Sequence, residues 1–590
     1  MSMNRRDLLI LLAGFAATAG ARAPVGMASR GIAPQRRGAP SGRPFHATFH
    51  DVGVAAGLRH PVTSGSAGHV DYIVESMGCG IAFLDYDNDG WLDIFVLSGT
   101  RRGAPAGENT NRLYRNNRDG TFTDVTREAG LTHQGWSYGV TVGDFDNDGF
   151  DDIFITQWGQ NILYHNNGDG TFSDVTRRAG LLSPEPRWGT GCTWVDYNRD
   201  GLLDLFVSHY LWFDFESVPP TGKNPDCNYL GIPVYFGPRG LPPERCQLYR
   251  NNGDGTFTDV TKSAGVDLAA PGYGLTAVAV DYEGSGWPDI QVASDSTPSL
   301  LFCNQRDGRL VERGVELGAA LNEDGKEQAG MGLAVGDFEN SGALGFLKTH
   351  FSEDTVGLYR NAGPGGFEDV AMRAGLGVET RYVSWGAGIQ DFDNDGLPDI
   401  FWATGGVYPE IERARADQPF KTPRVLFRNL GSGKFEQLLD LAGPAIQEAH
   451  CSRGVAFGDF DNDGDVDILI MNVNETPSLL RNDVVGGGHW LKVKLVGVKS
   501  NRSAIGATVI ATYGGQHQAQ ALSAQSSYLS VNDRRLHFGL GSALTADLEI
   551  RWPSGAKEKI SGVAAERLVT VREGEGIVKA ETFSSASGRG

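Results

Sequence analysis

Five nine-residue segments hold most of the chemistry this sequence spells out: DYDNDGWLD from Asp85, DFDNDGFDD from Asp144, DYNRDGLLD from Asp196, DFDNDGLPD from Asp391 and DFDNDGDVD from Asp459. Each puts a carboxylate or amide oxygen at positions 1, 3, 5 and 9 around a glycine at position 6. A hard cation such as Ca²⁺ takes about six to eight oxygen ligands, and the glycine lets the chain turn sharply enough to gather them. Without a cation, four carboxylates so close together repel one another. One copy is compatible with a solvated acidic turn; five in register point to repeated cation binding. The expected ligands are Asp85, Asp87, Asp89, the Trp91 carbonyl and Asp93 in the first loop, and Asp144, Asp146, Asp148, the Phe150 carbonyl and Asp152 in the second. The third loop offers Asp196, Asn198, Asp200, the Leu202 carbonyl and Asp204, weakened by Arg199. Two later loops offer Asp391, Asp393, Asp395, the Leu397 carbonyl and Asp399, and then Asp459, Asp461, Asp463, the Asp465 carbonyl and Asp467.

The flanks of these loops separate them from helix-borne calcium loops. The lead-in IAFL and the exit DIFV are short β-branched and aromatic runs, which read as buried strands. Position 12 is Val96, Ile155, Val207, Trp402 or Ile470, never the Glu that closes an EF-hand. Each loop is therefore a strand-to-strand turn with its ninth-position Asp as the closing ligand. Two eroded copies, DYEGSGWPD from Asp281 and DFENSGALG from Asp337, raise the number of slots to seven. The first of them, with Asp281, Glu283, Ser285 and Asp289, is expected to hold an ion weakly. The second has Gly345 at position 9 and is expected to hold none.

Two further motifs repeat in step with the loops: TFTDVTREAGL from Thr121, with six other copies of varying strength, and LYRN from Leu113, with copies at Leu163, Leu248, Leu301, Leu358, Leu426 and Leu479. A period of roughly fifty residues built of short strands and Gly-rich turns is that of a propeller blade. Longer intervals hold Pro-rich, charged insertions at 212–245 and 407–423. The expected fold is all-β: a seven-bladed β-propeller over 46–482, closed by the Phe49–Val52 stretch joining the last blade, then a small β-sandwich-like domain over 483–574. That second domain is read from alternation in 491–498, 508–513 and 568–573.

Composition narrows the functional classes. The formal charge is −20, with 52 Lys and Arg against 72 Asp and Glu, and no basic stripe follows the first forty residues. Nucleic acid is therefore excluded as the expected partner. Arg5 and Arg6, an apolar run from Leu8 to about Ala17, and Ala21-Arg22-Ala23 make residues 1–28 a secretory signal of twin-arginine type. The run is too short to span a bilayer, and no later span follows. The mature chain is expected to be periplasmic or extracellular, with a flexible lead at 29–45 and a disordered tail at 575–590. An exported chain permits disulfides, and Cys227 with Cys246 is the expected pair, closing the first insertion. Cys79, Cys192 and Cys451 are expected to be buried thiols.

With these residues in place, the repeats resemble the FG-GAP/VCBS repeats of integrin-α-type propellers. The tail motifs HWLKVKLVGVKSNRSAIGATV, SSYLSVNDRRLHFGLG and IRWPSG resemble the ASPIC/UnbV domain of the cartilage acidic protein family, so that the resemblance covers about 46–573. It implies a secreted calcium-binding propeller with a small β domain; the loops' own ligand sets give about four to five structural Ca²⁺ ions. The expected function is a recognition, adhesion or scaffold module for a glycan or protein partner. The alternative is a calcium-dependent enzyme, either a UnbV-type tailoring enzyme of secondary metabolism or a carbohydrate-active propeller. His165, His209, His350 and His450 fall at strand ends or loops, and no hydrolase, zincin or nucleotide motif accompanies them. Trp212, Tyr229, Tyr235 and Tyr408 in the insertions either form a ligand-binding face or pack the insertions down. The polar SYLSVND stretch is expected to hold the tail domain against the propeller.

Overall fold

The computed structural model describes residues 30–225 and 227–583, so the expected signal over 1–28 lies outside the described residues. In the first blade, Ile81–Leu84 pairs antiparallel with Asp93–Val96, Leu84 opposite Asp93, which makes the first acidic loop the hairpin turn between them. Arg112–Asn116 and Phe122–Asp124 add the third and fourth strands. The first two strands are buried on both faces, as their unbroken apolar runs require. The same four-strand order recurs in seven sheets, the second and third being joined by a short pairing at Trp158 and Trp188. In every blade the residue before loop position 1 pairs with position 9, as in Gly143 with Asp152 and Gly458 with Asp467.

The ring closes. First strands of successive blades lie side by side, and that of the seventh blade, Ser452–Gly458, lies against that of the first. Ala47–Asp51 supplies the outer strand of the seventh blade, Ala47 opposite Val484 and Asp51 opposite Leu480. The Asn of each LYRN copy is the staple between neighbours. Its side-chain amide donates to the carbonyl at position 2 of the preceding blade's acidic loop: Asn166 to Tyr86, Asn251 to Phe145, Asn304 to Tyr197, Asn361 to Tyr282, Asn429 to Phe338, Asn482 to Phe392, and Asn116 back to Phe460, all at 2.8–3.0 Å.

The C-terminal domain is two four-stranded sheets. One pair is parallel, His489–Val496 with Arg567–Arg572. Its core residues Leu491, Val509, Phe538 and Trp552 are continuous with Phe145 and Trp194 of blades two and three. Between its sheets the chain leaves the domain and enters the propeller shaft. The first strands present a free edge there, whose N–H and C=O groups need partners away from water. Residues 524–533 provide them. Gln525 accepts from the Cys192 N–H (3.1 Å) and donates to the Val140 carbonyl (2.8 Å). The Ser527 carbonyl accepts from Leu333 N–H, the Leu529 carbonyl from Val140 N–H, and the Val531 carbonyl from Phe83 N–H. Ser530 Oγ accepts from Ile81 N–H, and Asn532 accepts from Phe457 N–H. Tyr528 packs edge-on against Trp385, ring centroids 4.9 Å apart, and its hydroxyl reaches the Met77 carbonyl. The segment therefore touches all of the blades but blade four through these contacts, and Leu529 N–H adds Thr276 of that one. Its polarity is explained by what it pairs with.

Three expectations are corrected. The lead over 30–45 is not a free linker: Ile32 and Gln35 N–H groups bond Glu353 and Gly377 carbonyls, Ser41 bonds Glu436, and Arg30 lies 3.2 Å from buried Asp354. The tail over 575–590 contains an ordered strand, Gly576–Glu581, paired with Arg567–Arg572. Cys227 and Cys246 are not joined as a disulfide. Cys246 is turned into the core of blades three and four with Phe206, Leu248 and Phe302, where burial pushes its thiol up to about 12. Cys79, Cys192 and Cys451 are buried thiols, as expected.

Candidate metal centres

Each acidic loop is shaped by local backbone rules. Position 4 takes the left-handed conformation (Asn88 φ 57°, Asn147 φ 61°, Arg199 φ 61°, Asn394 φ 60°, Asn462 φ 55°), where Asn is tolerated best after glycine. The position 1 carboxylate accepts the N–H of the position 6 glycine: Asp85 from Gly90 (3.2 Å), Asp144 from Gly149 (2.8 Å), Asp196 from Gly201 (3.0 Å), Asp391 from Gly396 (2.7 Å) and Asp459 from Gly464 (3.0 Å). Position 5 accepts the N–H of position 7, at 2.8–3.0 Å for Trp91 to Asp89, Phe150 to Asp148, Leu202 to Asp200, Leu397 to Asp395 and Asp465 to Asp463. Position 9 is held by the N–H of the LYRN asparagine: Asp93 by Asn116, Asp152 by Asn166, Asp204 by Asn251, Asp399 by Asn429 and Asp467 by Asn482.

These bonds aim the remaining lone pairs inward. Carboxylate oxygens of Asp85, Asp87 and Asp93 lie within 4.8 Å of one another, as do those of Asp144, Asp146 and Asp152, and those of Asp391, Asp393 and Asp399. Buried oxygens of Asp87, Asp204 and Asp391 have no hydrogen-bond partner of good geometry among the described residues. A buried carboxylate left alone is costly, so the group protonates or binds a cation. Burial, helped by neighbouring aspartates, pushes Asp93 up to about 8 and Asp144, Asp152 and Asp196 up to about 7. Asp391, Asp399 and Asp467 are likewise driven well above the usual carboxylate range, by burial first. The donor set is carboxylates, a side-chain amide and backbone carbonyls, with no sulfur. It fits a hard divalent cation of the calcium class.

The two eroded loops differ as their residues require. In the fourth, Asp289 is pushed up to about 7, by burial first. In the fifth, Asp337 accepts N–H groups from Ser341, Gly342 and Ala519, which satisfies the carboxylate without an ion.

The loops are also tied to one another. Asn88 donates to the Gly149 carbonyl, Asn147 to Gly201, Arg199 to Gly286, Asn340 to Gly396, Asn462 to Gly90, and Asn394 to the Asp465 carboxylate. Only the fourth slot, with Gly284 at this position, has no side chain to donate. The C-terminal domain lies on this face of the ring: Arg502 N–H donates to Asn147, Lys494 lies 3.9 Å from Asp85, and Lys492 lies 2.5 Å from Asp459. The interblade role of the LYRN asparagine and these domain contacts were missed in the sequence. The strict co-repetition of LYRN with the loops was the available signal for the first.

The residues considered for catalysis do not converge. His209 and His350 are buried on blades three and five, and desolvation holds both well below the usual imidazole range. His450 pairs with Glu475 at 3.2 Å on blade seven. His165 stands beside the second loop, 3.1 Å from Asp152, where that carboxylate raises its pKa. In the insertions Tyr235 and Tyr408 are buried with rings 4.8 Å apart, and Tyr229 packs on Tyr408. Together with Trp188, Tyr210 and Phe213 they form the apolar cluster under the insertions. Packing is thus their role; Trp212, 47% exposed, is the aromatic left at the surface.

Residues 497–578 match the ASPIC and UnbV family, and residues 85–155 and 144–207 match the FG-GAP-like repeat. Cartilage acidic protein 1 of Mus musculus is 25% identical over 520 residues, which cover 84% of this chain and 73% of that protein. The Homo sapiens protein is 26% identical over 329 residues, 53% of this chain and 45% of its own length. Among solved structures, an Agrocybe aegerita lectin that recognises non-reducing terminal N-acetylglucosamine has a TM-score of 0.36 at 15% identity, covering 66% of this chain and 88% of that one. YCF48 from Cyanidioschyzon merolae has a TM-score of 0.37 at 12% identity, covering 70% and 97%. Likeness at that level bears on neither ligand nor mechanism. The chain carries FG-GAP-like repeats followed by an ASPIC and UnbV domain, and over most of its length it is similar to cartilage acidic protein 1.

Proposed function

We propose that this chain is an exported, calcium-binding propeller that acts as a recognition or scaffold module for a glycan or protein partner. The observation that carries the calcium reading is the set of buried carboxylate oxygens on Asp87, Asp204 and Asp391 left without a well-formed hydrogen bond among the described residues, each in a loop whose other oxygens are aimed by the backbone. Calcium, when bound, supplies the charge that offsets their mutual repulsion. About four to five loops take it: those beginning at Asp85, Asp144, Asp196, Asp391 and Asp459. The loops bond to one another around the ring except from the fourth to the fifth, so an ion in a loop with bonded neighbours stiffens the hairpins beside it. Export rests on the charged and apolar N-terminal sequence.

The module reading is supported by a shaft filled by residues 524–533 and a far end packed under aromatic insertions, which leave a rigid body with decorated rims. The enzyme reading gains no specific observation: His209 and His350 are buried away from solvent. The test uses the purified mature chain, calcium-loaded and chelator-treated, on a glycan array and on a panel of purified extracellular proteins. Retention of a defined ligand by the loaded form alone is the expected result. Turnover of a bound saccharide, or no ligand on either surface, would overturn the module reading.

A further inference from the structure

Loop seven differs from the other acidic loops in the cation beside it. Lys492 Nζ lies 2.5 Å from Asp459 Oδ2, with side-chain exposures of 1% and 0%. The lysine belongs to the C-terminal strand His489–Val496 and meets the carboxylate at loop position 1. Equivalent carboxylates meet looser, wetter partners: Lys494 stands 3.9 Å from Asp85 and is 44% exposed, and Arg502 stands 3.9 Å from Asp144 and is 53% exposed. At loop six, among the described residues, the C-terminal domain brings no cation to Asp391; the backbone of Gly539 packs so close that a Cβ would not fit. Arg535 reinforces the difference. Its guanidinium, buried and paired with Asp533, donates to the Asp459 carbonyl at 2.8 Å and to Asn462 at 2.6 Å.

A buried ammonium needs a partner, because removing it from water is expensive. It also repels a second cation far more strongly in a dry site than at the surface. Lys494 and Arg502 are half-exposed and screened by solvent; Lys492 is buried and is not. We propose that Lys492 is the resident cation of loop seven: it balances Asp459 while the loop is metal-free, and a divalent ion enters against it. Loop seven is then weaker than a loop of the same ligands would be without a buried ammonium on its position 1 carboxylate, and it fills late. The proposal rests on the calcium reading above. It also couples the domains, since a metal ion at loop seven and the Lys492 anchor draw on the same carboxylate, and such coupling is reciprocal.

Removing the ammonium acts on both ends of the equilibrium. The metal-free loop loses its counter-charge, and the loaded loop loses a repulsion, so affinity rises on both counts. The test titrates the full mature chain, stripped with chelator, with CaCl₂ in a calorimeter, comparing wild type with Lys492→Met, Lys492→Gln and Lys492→Arg. The expected result is that one weak wild-type site tightens at least tenfold in Lys492→Met and in Lys492→Gln, which keeps a hydrogen-bond donor without the charge. Lys492→Arg keeps the weak site. In melting, the Met and Gln variants fall below wild type in chelator, and the gap narrows in saturating calcium. A titration in which no site tightens in the neutral variants, or a melting gap that ignores calcium, overturns the role of Lys492 alone. A wild-type chain that binds no calcium overturns the calcium reading and this proposal together.

Discussion

At the scale of single residues, the arrangement turns on carboxylates placed where burial and their neighbours oppose ionisation. In Asp391→Asn, the expected outcome is one fewer calcium bound and a lower melting temperature in calcium. In chelator the variant melts at or above wild type, because a buried carboxylate that must be neutralised by a proton has been replaced by a neutral amide. Saturating calcium stabilises by RT ln(1 + [L]/Kd), about 2.7 kcal/mol per site at a hundredfold excess over Kd, and that is the scale of the loss. Acidity gives a second expectation. The metal-free folded state holds Asp93 near 8 and Asp144, Asp152 and Asp196 near 7, above their unfolded values near ~3.9. The folded chain then binds more protons than the unfolded chain, so this contribution is complete below about pH 4 and is lost as pH rises through 7 to 8. Melting in chelator should fall from pH 5 to 8, while the increment given by calcium grows over the same window. A flat increment would show that these carboxylates are not what calcium relieves.

At the scale of elements, the asparagine of each LYRN strand does two jobs with one side chain. The Asn429 amide reaches the Phe338 carbonyl on the preceding blade and the Pro398 carbonyl beside its own loop. Asn429→Ala leaves both without that donor, and a loss of about 2–3 kcal/mol is expected in denaturant unfolding. Asn167→Ala, at an exposed turn, should stay within about 0.5 kcal/mol of wild type. The acidic loops, their strand flanks and the closing Phe49 stretch were legible in the sequence, because their signals are local and repeat. The partner of Asn429 was not, since it sits one blade back. The lead over 30–45 reads as a linker by composition, yet Arg30 and Ser41 find Asp354 and Glu436 hundreds of residues away. Cys227 and Cys246 bracket a loop in sequence, but the core of blades three and four claims Cys246.

At the scale of the whole molecule, the two domains are one packed unit. The shaft edges of the propeller are completed by Gln525, Ser527, Leu529, Ser530 and Val531 of the tail domain, an arrangement no local pattern announces. Tyr528→Ala empties volume beneath Trp385, and a loss of about 3–5 kcal/mol is expected from the melting curve. Calcium stoichiometry should be unchanged, because the acidic loops lie outside the shaft. Trp212→Ala carries the opposite expectation: weaker partner binding with no shift in melting, if the exposed rim of the insertions is where a ligand meets this module. The central claim is that the acidic turns are filled and hold the ring. Metal analysis of the purified mature chain, dialysed against calcium-free buffer without chelator, tests it most directly. About four calcium ions per chain is the result this account requires, and fewer than one, even after prior exposure to millimolar calcium, would contradict it.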